Sequence, residues 1–149
     1  MQKNLLRELC SEAGVDPYAV SYVELHGTGT VVGDRQEGNS VSEVFCGEGR
    51  STPLLIGSVK SNMGHAEPAS GLASLAKVLI AIHDRAIPAN LHFKEPNSDI
   101  PGLLDGRLKV ISNPLRFSSL LLRSKSKVTR CSAIAERARC RVRYSFRQK

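Results

Sequence analysis

Apolar positions along the first 115 residues fall into short blocks of alternating character. Residues 1–13 place Leu5, Leu6, Leu9 and Cys10 at helical spacing with charge between them, and Gly14 and Pro17 are placed to stop that helix. Residues 18–25 are short and rich in β-branched and aromatic side chains, which predicts a strand whose apolar run is 20–25. Val41, Val44 and Phe45 share one helical face over 34–45, and Pro53 then leads into a second strand over 54–59. Pro68 opens the clearest helix, 69–82. There Ala69, Ser70, Gly71, Ala73, Ser74 and Ala76 lie alongside Leu72, Leu75, Val78, Leu79 and Ile80. A helix apolar on nearly every side expects close neighbours all round, more than one small domain supplies. Residues 86–105, with Pro88, Pro96 and Pro101, read as loop, and 108–111 as a short strand. The fold class expected is α/β.

Composition bounds the possibilities. A chain of 149 residues can build one domain with a real core. No apolar run reaches the roughly 18 residues needed to span a membrane, and Glu8, Cys10 and Glu12 break the order of a secretory signal. A cytoplasmic protein with reduced thiols is expected, because Cys10, Cys46, Cys131 and Cys140 show neither a C-x-x-C pair nor metal-like spacing with His. The net charge of +7 hides a division. Residues 1–115 hold ten Lys and Arg against thirteen Asp and Glu, or −3; residues 116–149 hold eleven against one, or +10.

The chemistry concentrates in two loops that follow the predicted strands. His26 sits in Val23-Glu24-Leu25-His26-Gly27-Thr28-Gly29-Thr30, and His65 in Lys60-Ser61-Asn62-Met63-Gly64-His65. Carboxyl ends of strands are where open α/β folds place their sites. Two imidazoles arriving there from neighbouring strands can donate to one substrate carbonyl. Gly27-Thr28-Gly29 with Gly33 misses the dinucleotide spacing by one residue, so a nicotinamide site is rejected. His83, late in a helix, reads as a C-terminal cap, and His92 as structural.

The first loop, continued by Gly33-Asp34 and Glu37, resembles the histidine loop of β-ketoacyl synthases, the condensing enzymes of fatty acid and polyketide assembly. Ile56-Gly57-Ser58-Val59-Lys60-Ser61-Asn62-Met63-Gly64-His65, running on through Glu67-Pro68-Ala69-Ser70-Gly71-Leu72, resembles their second. Asn90-Leu91-His92-Phe93 and the segment 100–108 look most like the ketosynthase domain of animal-type fatty acid synthase. The resemblance covers about residues 1–115 and implies the C-terminal half of a thiolase-like fold: a mixed sheet with the small-residue helix in a buried layer. It further implies decarboxylative Claisen condensation of acyl and malonyl thioesters. His26 and His65 would stabilise the enolate, Lys60 would pair with Glu37, and Asp34 would support the loop. Thr28 and Thr30 would meet the phosphopantetheine arm of an acyl carrier protein. No metal and no directly bound cofactor is implied, and the family is typically homodimeric.

Three departures qualify this. None of the four cysteines sits in a motif matching the family's nucleophile, which belongs to the N-terminal half. The family's Gly-Phe-Gly-Gly segment does not follow residue 115, and Arg35 stands where proline is usual. The chain is therefore expected to be inactive alone. The alternative is a non-catalytic protein that binds carrier protein or docks on an intact synthase. The tail 116–149 has no family resemblance. Its arginines would suit salt-sensitive nucleic-acid binding, though a segment appended by altered splicing or a frameshift is the plainer reading. The helix over 69–82, without its partner half, should expose an apolar surface that favours association.

Overall fold

The computed structural model describes residues 1–116. α1 (Gln2–Glu12) ends as expected: Gly14 takes φ +60, and its N–H and that of Val15 close on Ser11 O and Cys10 O. The strand expected over 18–25 is shorter. Asp16 accepts the Tyr18 N–H and caps a 3₁₀ turn, Pro17–Ala19, so β1 spans only Tyr22–Glu24. α2 (Val31–Phe45) starts three residues before the sequence pattern suggests, from an extended Thr30. β2 covers Leu54–Gly57, and a single turn, α3 (Lys60–Met63), follows it. The small-residue helix is α4 (Ser70–Asp84), preceded by a 3₁₀ turn at Glu67–Ala69.

Beyond it the expected loop contains β3 (Ala86–Ile87) and α5 (Pro101–Leu104). β4 (Leu108–Val110) follows, and then β5 (Leu115–Arg116), which the pattern did not suggest. β1, β2 and β4 form a parallel sheet in that order, with Val23 opposite Ile56 and Ile56 opposite Val110. β3 and β5 pair separately and antiparallel. Parallel strands need covered faces, and alternate residues supply both. Val23, Leu54, Ile56 and Leu108 pack with Leu9, Val41, Val44 and Phe45 of α1 and α2. Tyr22, Leu55 and Ile111 pack on the other face with Val78 and Ala81 of α4 and with Ile87. Full burial of a side chain such as Phe45 stabilises by about 1.5–3 kcal/mol.

Only one side of α4 is satisfied by this packing. Leu72, Leu79 and Ile80 remain 70%, 48% and 60% exposed, as expected for a helix made for a larger interior. Among the described residues no helix is long and apolar enough to cross a membrane. The basic tail from residue 117 on, with Cys131 and Cys140, lies outside the described residues.

Candidate active site

β1 and β2 are neighbours and parallel, so their carboxyl ends open side by side, each into a histidine loop. The Leu25 N–H closes the ladder on Gly57 O at 2.7 Å, and His26 is the next residue. Gly27 then turns at φ +46. A Cβ there would lie 2.8 Å from Ser58 Cβ and 3.0 Å from its Oγ, so only glycine lets the first loop close onto the second. Ser58 Oγ donates to His26 O at 3.2 Å and accepts the Lys60 N–H at 3.3 Å.

α2 holds the first loop from the other side. Asp34 and Glu37, three residues apart, share a helical face. Asp34 Oδ1 accepts the Gly29 N–H at 3.2 Å, while Glu37 accepts the His26 and Gly27 N–H groups at 2.7 and 2.9 Å. α2 runs unbroken through Arg35, and the Asp34 N–H bonds Thr30 O at 2.9 Å. The Thr28 and Thr30 hydroxyls lie 3.2 Å apart at the loop's outer edge.

The rings are set by what each Nδ1 receives. Lys60 Nζ is 3.2 Å from His26 Nδ1. An ammonium has protons to give and no lone pair, so Nδ1 accepts and the neutral ring carries its proton on Nε2. His65 follows Gly64 (φ +78), and its Nδ1 accepts the Glu67 N–H at 2.9 Å, with Ser70 Oγ at 3.3 Å. Its proton too belongs on Nε2. These donors fix both tautomers. The ring centroids are 5.6 Å apart at an interplanar angle of 86°.

The structure therefore brings His26, His65, Lys60, Glu37 and Asp34 to one end of the sheet. Lys60 and Glu37 meet on the same histidine, one at its ring and the other at its backbone. Two supports were not singled out from sequence. Ser58 and Asn90 each belong to a motif that resembles the family, but neither carries a role there; Asn90 Oδ1 accepts the Ser58 N–H at 3.1 Å from a loop over thirty residues away. His83 is exposed beside Asp84, its Nδ1 2.8 Å from the carboxylate, and His92 is exposed at φ +65.

Cys10 and Cys46 lie in the core between α1, α2 and the sheet. Burial pushes both thiols up, with Asp16 adding to the effect on Cys10. Such thiols are poor nucleophiles. Among the described residues a groove of about 550 Å³ opens beside Cys46, Arg50 and Arg107, and another of about 760 Å³ along Met63, Lys77 and Ile80. Neither is lined by His26 or His65. Among the described residues no cluster of three or more His, Cys, Asp or Glu is arranged to hold a metal.

Comparison with known proteins identifies relatives of this chain. Residues 1–94 match the β-ketoacyl synthase C-terminal domain. The chain is 48% identical over 128 residues to the highly reducing polyketide synthase poxF of Penicillium oxalicum, covering 84% of this chain and 5% of that protein. It is 49% identical over 100 residues to the polyketide synthase GfsA of Streptomyces halstedii, covering 67% and 1%. Among solved structures it resembles the oxazolomycin ketosynthase domain OzmH KS7 of Streptomyces albus JA3453, with a TM-score of 0.71 and 32% identity over 78% of this chain and 20% of that one. It also resembles the module 6 ketosynthase of the bacillaene synthase of Bacillus subtilis 168, with 32% identity, a TM-score of 0.71, and 80% and 22% covered. The chain thus spans about a fifth of these ketosynthase structures and a few per cent of the curated relatives. These relatives are polyketide synthases, so the expected nearness to animal-type fatty acid synthase is not established by them. By these matches the chain belongs to the β-ketoacyl synthase family, as a thiolase-like ketosynthase C-terminal domain.

Proposed function

We propose that this chain supplies the malonyl half-site of a ketosynthase of polyketide-synthase type. The observation that carries the reading is the pair of imidazoles whose Nδ1 atoms are both engaged as acceptors, which puts both N–H groups on Nε2. Rings 5.6 Å apart suit donation to a single oxygen. On a malonyl thioester the bond between the carboxylate carbon and Cα breaks and carbon dioxide leaves. The electron pair passes into the enolate, and negative charge develops on the thioester oxygen. Two N–H donors fixed before the reaction stabilise that charge without reorganisation, each worth about 2.7–4 kcal/mol in the transition state.

Condensation needs an acyl group held as a thioester. The buried Cys10 and Cys46 are unsuited to that, and we assign the thiolate to the N-terminal half of a synthase. The enolate carbon then attacks the acyl carbonyl, the new carbon–carbon bond forms, and the thiolate leaves. Malonyl arrives on the phosphopantetheine of a carrier protein, passing Thr28 and Thr30. The exposed apolar face of α4 favours a second reading, a non-catalytic protein that docks on a synthase or carrier.

The test is carbon dioxide release from malonyl-pantetheine and from malonyl carrier protein by the 149-residue chain. Decarboxylation without condensation, falling about 10²–10³-fold in His26→Ala or His65→Ala, supports the half-site. No release, together with carrier retained at moderate salt, favours the interaction reading.

A further inference from the structure

Below the two histidines lie three polar side chains that the chemistry above does not use. Glu24 is the last residue of β1 and lies two before His26. Lys77 comes from α4, 53 residues further on, and Tyr22 from β1. All three residues are buried, the side chains of Glu24 and Lys77 being 1% and 6% exposed. Lys77 Nζ is 2.9 Å from Glu24 Oε2, an ion pair rather than an aligned hydrogen bond, and lies 6.0 Å from the Tyr22 ring centroid. The Tyr22 hydroxyl donates to the same oxygen. Glu24 Oε1 accepts the Val59 N–H at 2.5 Å.

A pair of charges buried in this way is not explained by stability, since apolar side chains of the same volume often serve a core as well or better. What an apolar set cannot supply is an acceptor for Val59. Beyond Gly57 the ladder has ended, and the two N–H groups at the start of the second loop find side-chain acceptors: Ser58 on Asn90 and Val59 on Glu24. Val59 immediately precedes Lys60, the residue whose ammonium reaches His26 Nδ1. Burial and the Glu24 carboxylate push the Tyr22 phenol well above its ordinary range, so it stays a donor throughout.

We propose that Glu24, held by Lys77 and Tyr22, is a positioning residue: it anchors the backbone at Val59 and so sets Lys60 against His26. Gly57 allows the close approach, because a Cβ there would lie 2.7 Å from the Tyr22 hydroxyl oxygen and 3.4 Å from Lys77 Nζ. Through Lys60 this arrangement holds the His26 proton on Nε2. The proposal rests on reading that proton as the enolate donor, and its test is read independently of catalysis.

The experiment records long-range ¹H–¹⁵N correlations of the histidine rings in the full 149-residue chain, with Lys60→Met as the reference for a ring that has lost its partner. Glu24→Leu with Lys77→Met removes both charges and the acceptor. Glu24→Gln with Lys77→Met removes the charges but keeps an oxygen for Val59. The first pair should lose the fixed Nε2–H pattern of His26 as Lys60→Met does, while His65, held by Glu67, is unchanged. The Gln pair should retain both patterns. A wild-type His26 pattern in a folded Leu variant overturns the proposal, as does its loss in a folded Gln variant. Failure of both variants to fold also overturns it, by showing that the three side chains serve the core. Decarboxylation is followed in parallel and should fall about 10²-fold in the Leu variant only. A wild-type chain with no decarboxylation sinks the half-site reading, and the ring patterns still decide the positioning.

Discussion

Closure of one histidine loop onto the other at Gly27 gives a sharp quantitative test. Gly27→Ala introduces a Cβ 2.8 Å from Ser58 Cβ, a distance that carbon atoms essentially never tolerate, at a residue with φ +46. Two costs then add. A left-handed backbone costs an L-residue about 1–2 kcal/mol, and forcing a methyl into a closed contact typically costs about 1–3 kcal/mol. Together they predict about 2–5 kcal/mol, a large share of a small domain's stability. Gly29 provides the internal control. It has φ +77, yet a Cβ there would meet nothing within 4 Å, so Gly29→Ala should lose only the backbone part, about 1–2 kcal/mol. Urea unfolding of both variants, with the slope checked for constancy, measures the difference. Equal losses at the two positions would show that Ser58 does not pack against Gly27 and that the two loops are not joined there. A surviving folded fraction of Gly27→Ala should also decarboxylate malonyl thioester more slowly, because Ser58 holds both His26 O and Lys60 N.

Three further outcomes follow from the same structure. Glu37→Gln keeps one acceptor oxygen where two are used, so either the His26 or the Gly27 N–H loses its partner. That should cost about 1–3 kcal/mol, read as a shift in the urea midpoint. The Tyr22 phenol is raised in the folded chain above its ordinary value of 10.0. The unfolded chain therefore releases that proton first as pH rises. Its contribution is fully present below pH 10 and falls above it by about 1.4 kcal/mol per pH unit. Tyr22→Phe should flatten that slope in alkaline unfolding curves, and an unchanged slope would contradict the assignment. Leu72→Ser with Ile80→Ser, on the exposed face of α4, should shift sedimentation of the chain toward monomer. Wild-type chain that already sediments as a monomer at micromolar concentration would count against association through this face.

Much of the frame was legible because local patterns agreed with it. The helices over 1–13 and 69–82 and the strand ending near Leu25 follow from apolar spacing and Gly14, while the strand that Pro53 introduces stops at Gly57, two residues short of the expected 54–59, where the Ser58 and Val59 N–H groups turn to side-chain acceptors. The boundaries that moved did so for local reasons. Asp16 spends its carboxylate on the Tyr18 N–H and shortens β1, and Thr30 adopts an extended conformation that lets α2 begin at Val31 despite Gly33. β3 and β5 are two residues each and have no periodicity to detect; they exist because Ala86 and Ile87 face Arg116 and Leu115 across nearly thirty residues. The histidine loops were legible from their motifs. Their interior was not. Lys77 reads in sequence as an interruption of an apolar helix, and nothing local announces that Glu24 waits for it on β1. In the same way, the resemblance sets Lys60 against Glu37, and that its ammonium reaches the His26 ring only the packing of the first loop against α3 reveals.

Both imidazoles are held as Nε2–H donors, His26 by Lys60 and His65 by the Glu67 backbone. Histidine ring ¹⁵N spectra of the wild-type chain at neutral pH test it most directly. Both residues should show an unprotonated Nδ1 and a protonated Nε2. A proton on Nδ1 of either ring would contradict it, because the Lys60 ammonium or the Glu67 N–H would then face a second donor.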